Sequence, residues 1–162
     1  FARMHEYGVA PNCFCYNSVI EACSRAGRAE HAELWLRRLM DESGRMTPDL
    51  MPTADSFIRA AHAYARKGAY DNVCGLLAEM EEWGITMGGY GLTVLLLAYL
   101  RARPRQPERA AMAFRHHCAR GLPVPEGALP MLRTIIGDRC FKKLMAERAV
   151  HLMLADMQGS KA

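Results

Sequence analysis

Apolar residues recur along the chain in paired runs at helical spacing. Between residues 11 and 40, Tyr16, Val19, Ile20 and Cys23 fall at offsets 0, 3, 4 and 7, and Ala32, Trp35, Leu36 and Leu39 repeat those offsets. Such offsets place each group on one face of a helix. Gly27 lies between the two runs, where free access to positive φ closes a turn. A hairpin of two such helices cannot bury both faces alone, so the pattern predicts neighbours of the same design.

Those neighbours are present. A shift of 41 residues carries Gly27 onto Gly68, the first face onto Phe57, Ala60, Ala61 and Tyr64, and the second onto Val73, Leu76, Leu77 and Met80. Further on, Leu92, Leu95, Leu96 and Tyr99 form another first face, and Ala110, Ala113, Phe114 and His117 another second face. Here Arg103-Pro104-Arg105-Gln106-Pro107 replaces the glycine turn; proline ends the first helix and Pro107 opens the second. Closing turns carry Gly8, Gly44, Gly84 and Gly121, separated by 36, 40 and 37 residues. This is the signature of a helical repeat.

The predicted fold is an all-α solenoid of antiparallel helical hairpins. Residues 1–12 read as the end of a truncated unit, because Phe1 and Met4 match Leu36 and Leu39, so a longer parent protein is expected. Full units span 13–49, 50–88 and 89–125, the second with surplus residues that would start its first helix a turn early. Residues 126–162 read as a degenerate capping hairpin, with Leu129, Leu132 and Ile136 on its first helix and Asp138 capping its last.

Composition changes this picture little. The 162 residues carry a net charge of +4 and a pI near 8.8, which permits an anionic partner without demanding one. The most apolar run, residues 88–100, is shorter than the roughly 20 residues that span a bilayer and reads as a buried helix. Six cysteines include no CxxC pair, so neither a zinc site nor any other metal or cofactor is expected. No HxE with PCxxC and no acidic metal set occurs, and His116, His117 and Cys118 diverge around a helix, so no enzyme is expected. His117, on the core stripe, reads as structural.

Residues 11–49 resemble the pentatricopeptide repeat family, through Pro11-Asn12, Tyr16-Asn17-Ser18, Ile20, Ala26-Gly27, Ala32, Leu36, Leu39-Met40 and Pro48-Asp49. The resemblance extends to about residue 125 and implies a right-handed solenoid. It also implies single-stranded RNA as partner, read one base per repeat, in a mitochondrion or plastid. Carried over, Asn17 and Asp49 read one base, a pair associated with uracil. Phe14 packs on base faces, Asn12 closes an upstream pair, and Thr93 is the matching residue of the third unit. Arg25, Arg66 and Arg101, at the same point of three units, would face phosphates. The second unit has Ile58 or Ala54 in place of Asn17 and Gly88 in place of Asp49, and the third has Pro125 as its closing partner; none of these reads a base edge. These losses motivate an alternative: a scaffold subunit of a large organellar assembly, a ribosome or bioenergetic complex, meeting protein through Leu92, Leu96, Leu97 and Leu100.

Overall fold

The computed structural model describes residues 2–43 and 50–159, with side chains described for residues 3, 4, 6–43 and 50–149. These residues fold into helices joined by short turns: α1 (Ala2–Glu6), α2 (Cys13–Arg25), α3 (Ala29–Ser43), α4 (Ala54–Lys67), α5 (Tyr70–Glu82), α6 (Gly89–Arg101), α7 (Pro107–Ala119), α8 (Ala128–Ile136) and α9 (Asp138–Gly159). The described residues contain no strand, and no helix among them is long and apolar enough to cross a membrane.

Each hairpin forms where its two apolar stripes meet. Ile20, Ala32 and Leu36, then Phe57, Ala61, Tyr64, Val73, Leu76 and Met80, then Leu92, Leu96, Ala110 and Phe114 are buried together in one continuous core. The units then stack in a regular way. First helices α2, α4, α6 and α8 pack side by side, and each second helix also touches the next first helix. Second helices have no comparable packing on one another. The layer whose helices touch is the shorter one, so α2, α4, α6 and α8 line the inner, concave side. Ion pairs span the outer layer instead: Arg37 with Glu79 joins α3 to α5, and Arg120 with Glu81 joins α7 to α5.

Two boundaries differ from the sequence expectation. Helix α4 begins at Ala54, 41 residues after α2 begins, and not a turn early. A capping box stops it: the Thr53 backbone N–H donates to the Ser56 hydroxyl at 3.1 Å, while Pro52 is buried in the connection. Asp138 is the first residue of α9 and not its cap. Gly137 stands before it, at φ +80°, and accepts the Phe141 N–H. The buried face of α8 is Ala128, Leu132 and Ile135, with Leu129 and Ile136 at its margins.

The turns inside the units hold the stack in register. Gly68 has φ +76°, and a Cβ there would stand 2.7 Å from the Arg101 carbonyl carbon. Only glycine lets the end of α4 meet the end of α6 this closely. His117 is fully buried, its Nε2–H donating to the Pro123 carbonyl at 3.0 Å, and so pins the closing turn of the third unit.

Candidate nucleic-acid interface

The inner helices share one numbering from their first residues, Cys13, Ala54 and Gly89. Second positions are then Phe14, Asp55 and Tyr90; fifth positions Asn17, Ile58 and Thr93; thirteenth positions Arg25, Arg66 and Arg101. The helix starts thus settle the register of the middle unit: Ile58, not Ala54, stands where Asn17 stood.

Two of the three second positions carry bare aromatic rings. Phe14 is 80% exposed and Tyr90 is 81% exposed. Tyr90 was missed from sequence because the third unit was aligned on its core; its signal is the same three-residue lead over Thr93 that Phe14 has over Asn17. Fully solvated rings on matching helix positions are flat apolar platforms, suited to stacking on planar ligands.

Asn17 is buried, 8% exposed, and its amide N–H₂ reaches only the Cys13 sulfur, at 3.6 Å. Its side-chain oxygen is buried without a hydrogen-bond partner among the described residues. An amide carbonyl left so costs about 1–3 kcal/mol of desolvation and marks a site that a donor can satisfy. Thr93 differs. Its hydroxyl is spent on the Gly89 carbonyl one turn back, at 3.2 Å. Ile58 offers no polar atom. Asn12 is the cap of α2, its side-chain oxygen accepting the Cys15 N–H at 3.1 Å. Asp49, expected to complete the pair with Asn17, lies outside the described residues.

The arginine series is partly engaged. Glu21 holds Arg25 at 3.1 Å and, across the unit boundary, Arg59 at 3.0 Å; Arg59 also meets Asp55 at 2.7 Å. Arg66 and Arg101 are exposed and have no carboxylate partner among the described residues. His62, one turn before Arg66, has its pKa lowered by burial first and by the Arg66 guanidinium second, against a smaller opposing pull from Glu21.

The expected protein interface on α6 is not offered by all its residues. Leu92 and Leu96 are fully buried within the repeat stack, and Leu97 and Leu100 are half-buried against the same core. Helix α6 packs on α4, α5, α7 and α8 at once. That position in the middle of the stack accounts for its apolar run.

The fold and the repeated inner face define a class, the helical-repeat solenoids. Family models for the pentatricopeptide repeat match residues 14–43 and 61–85, and a second pentatricopeptide repeat domain model matches residues 1–26. Residues 1–43 and 61–85 thus carry pentatricopeptide repeats. Solved structures agree on the fold. The pentatricopeptide repeat protein PPR10 in complex with an 18-nt psaJ RNA element superimposes with a TM-score of 0.68 at 20% identity, over 82% of this chain and 18% of that one. PPR10 from maize gives 0.69 at 17% identity, over 96% of this chain and 21% of that one. The chain thus spans about a fifth of the length of these structures. No curated protein matches the sequence.

Proposed function

We propose that the inner face binds single-stranded RNA, stacking bases on Phe14 and Tyr90, reading one base at Asn17 and meeting phosphates at Arg66 and Arg101. What carries the reading is the shared register: exposed rings stand at the same helix position in the first and third units, three residues before Asn17 and Thr93, and an arginine stands at the same position in all three. The Asn17 oxygen is then completed by an N–H on a base edge once the side chain turns into the groove, leaving only its weak thiol contact. Every base presents such a donor on its Watson–Crick edge; uracil is favoured because Asn17 matches the first member of the pair that the family resemblance associates with uracil. Ile58 and Thr93 accept a base face without choosing among bases, so this chain supplies one selective position. The PPR10 complex with RNA supports the substrate class. The action is binding, not catalysis, and the family resemblance favours an organelle, mitochondrion or plastid, which localisation of a tagged full-length protein checks.

The test is a titration of short RNAs of equal length, one with uracil and others with each alternative base at a single position, against the wild-type chain and Asn17→Ala. The expected result is binding that weakens as salt rises, with uracil preferred by the wild type and no base preferred by the variant. Failure of every RNA to bind at low salt, or an unchanged base ranking in the variant, would overturn it.

A further inference from the structure

Beyond the inner face, the four turns that join first to second helices form one continuous edge. Side-chain and backbone contacts tie neighbouring turns together. Lys67, at the end of α4, reaches Glu30 at the start of α3, at 3.1 Å. Gly68 lies against the backbone of Arg101 and Ala102. Arg105 donates to the Thr134 carbonyl at 3.4 Å, bringing the third turn to the end of α8.

That edge is strongly basic. Residues 25–30, 66–71, 101–108 and 133–142 hold ten Arg and Lys against four Asp and Glu, out of 21 and 17 in the whole chain. Arg66 and Arg101 serve the groove; without them, eight cations against four carboxylates still equal the whole net charge of +4. The four carboxylates each sit in the first turn of an outer helix, where they suit the helix dipole: Glu30, Asp71, Glu108 and Asp138. They neutralise few of the cations. Arg28, Arg103 and Arg139 are exposed and have no carboxylate partner among the described residues, and Lys142 is exposed, with Asp138, already held by Arg133, as its nearest carboxylate influence. Like charges gathered along one edge raise each other's energy, and a polyanion relieves that.

The kind of polyanion follows from what the edge lacks. None of the exposed large apolar side chains among the described residues lies in these four segments. Their aromatic residues are withdrawn: Tyr70 lies beneath the Arg109 guanidinium, 4.9 Å away, and against Tyr99, while Phe141 is half-buried on the core. An unpaired strand laid here would leave its bases without a stacking surface. A duplex keeps its bases stacked and presents phosphates outward.

We infer that the turn edge docks base-paired RNA, a stem adjoining the single strand held on the inner face. The inference rests on the RNA-binding reading above and adds a second, sequence-independent contact. The stem meets the edge through phosphates alone, and the cations of the capping hairpin extend the track past the last reading position.

The experiment compares three RNAs: a bare single strand, the same strand with an adjoining hairpin stem, and the stem alone. The variant combines Arg28→Gln, Arg103→Gln, Arg139→Gln and Lys142→Gln, all on exposed positions outside the proposed base and phosphate contacts of the groove. For the wild type, the stem-bearing RNA should bind at least about tenfold tighter than the bare strand at 50 mM salt, whatever the stem sequence. With about 0.9 of salt slope per duplex phosphate, four contacts weaken the stem's contribution about a hundredfold between 50 and 200 mM. The variant should bind the bare strand as the wild type does and lose the stem's advantage. Equal binding of bare and stem-bearing RNA by the wild type overturns the inference, as does a variant that keeps the full advantage. Should the bare strand not bind at all, the groove reading fails, while binding of the stem alone, lost in the variant, still upholds the edge.

Discussion

Helices α2 and α6 hold the same place in their units and live in different surroundings. Helix α2 buries Tyr16, Asn17, Ile20 and Ser24, against α3 and α4. Helix α6 buries Gly91, Leu92, Val94, Leu95, Leu96, Ala98 and Tyr99, enclosed by α4, α5, α7 and α8. Their exposed second positions, Phe14 and Tyr90, are nonetheless alike, and their fifth positions have diverged. Asn17 keeps an oxygen without a donor, while the Thr93 hydroxyl has turned back on its own helix. Burial on three sides restricts what a helix can be made of, but it leaves the inner-face register intact. Core packing and inner-face exposure are therefore separable here, residue by residue.

The sharpest way to break that comparison is at the turns. Gly27 and Gly68 both have positive φ, +71° and +76°, but a Cβ at Gly27 meets nothing within 4 Å and one at Gly68 meets the α6 backbone. Gly27→Ala should cost only left-handed strain, about 1–2 kcal/mol. Gly68→Ala adds displacement of the end of α6, and a total above about 4 kcal/mol is expected, in the range reserved for disrupted packing. Urea denaturation of the two variants decides it; equal losses would mean that the α4–α6 contact does not set the register.

Next in size is the core of α6. Leu96→Ala leaves a cavity in the fully enclosed face and should destabilise by about 2–5 kcal/mol. Val19→Ala in α2, at a half-buried position, should cost under about 1.5 kcal/mol, since less methyl surface leaves a less enclosed site. A Leu96 variant that melts like the wild type yet fails to join a larger complex would restore the interface role that its burial argues against.

The sequence made the solenoid legible because packing repeats: the same apolar offsets recur in three units, and glycine marks the turns. Its failures have local causes. The capping box of Thr53 and Ser56 fixed the start of α4, and a surplus of residues in the loop concealed it. The apolar run on α6 looked like surface for a partner because sequence shows how apolar a helix is and not how many neighbours enclose it. Tyr90 escaped notice because a core-based alignment ignores solvent-facing positions. The reading positions were legible as types but not as states: nothing in the order of residues tells that the Thr93 hydroxyl is bonded and the Asn17 oxygen is not.

The rings come third. Phe14→Ala and Tyr90→Ala should each weaken binding of a short RNA by about 1–3 kcal/mol, the value of one stacked base. Neither should move the thermal midpoint appreciably, because the rings are solvated in the free chain and surface changes stay within about 0.5 kcal/mol. Fluorescence anisotropy against melting curves separates the two effects. If only Phe14 matters, the third unit has lost ligand contact along with its polar group, and the shared register is a relic of packing.

The smallest effect expected is a pH dependence from His62, in the middle unit between these two helices. Burial and Arg66 lower its pKa, so in the free chain at pH 7 the ring is neutral. A depressed histidine contributes stability above its unfolded value, near 6.5, and this is lost as pH falls through the lower folded value. RNA phosphate nearby acts the other way, favouring the charged ring, so binding takes up a proton. Affinity should therefore rise as pH drops from 7 through the unperturbed range, and level off once the free chain is protonated too. Contacts of this exposed kind are worth under about 1 kcal/mol, so the rise should be no more than about fivefold. His62→Gln should flatten the profile without changing affinity at pH 7.5. A profile that stays steep in His62→Gln assigns the proton to another group and leaves the middle unit a spacer between the two outer ones.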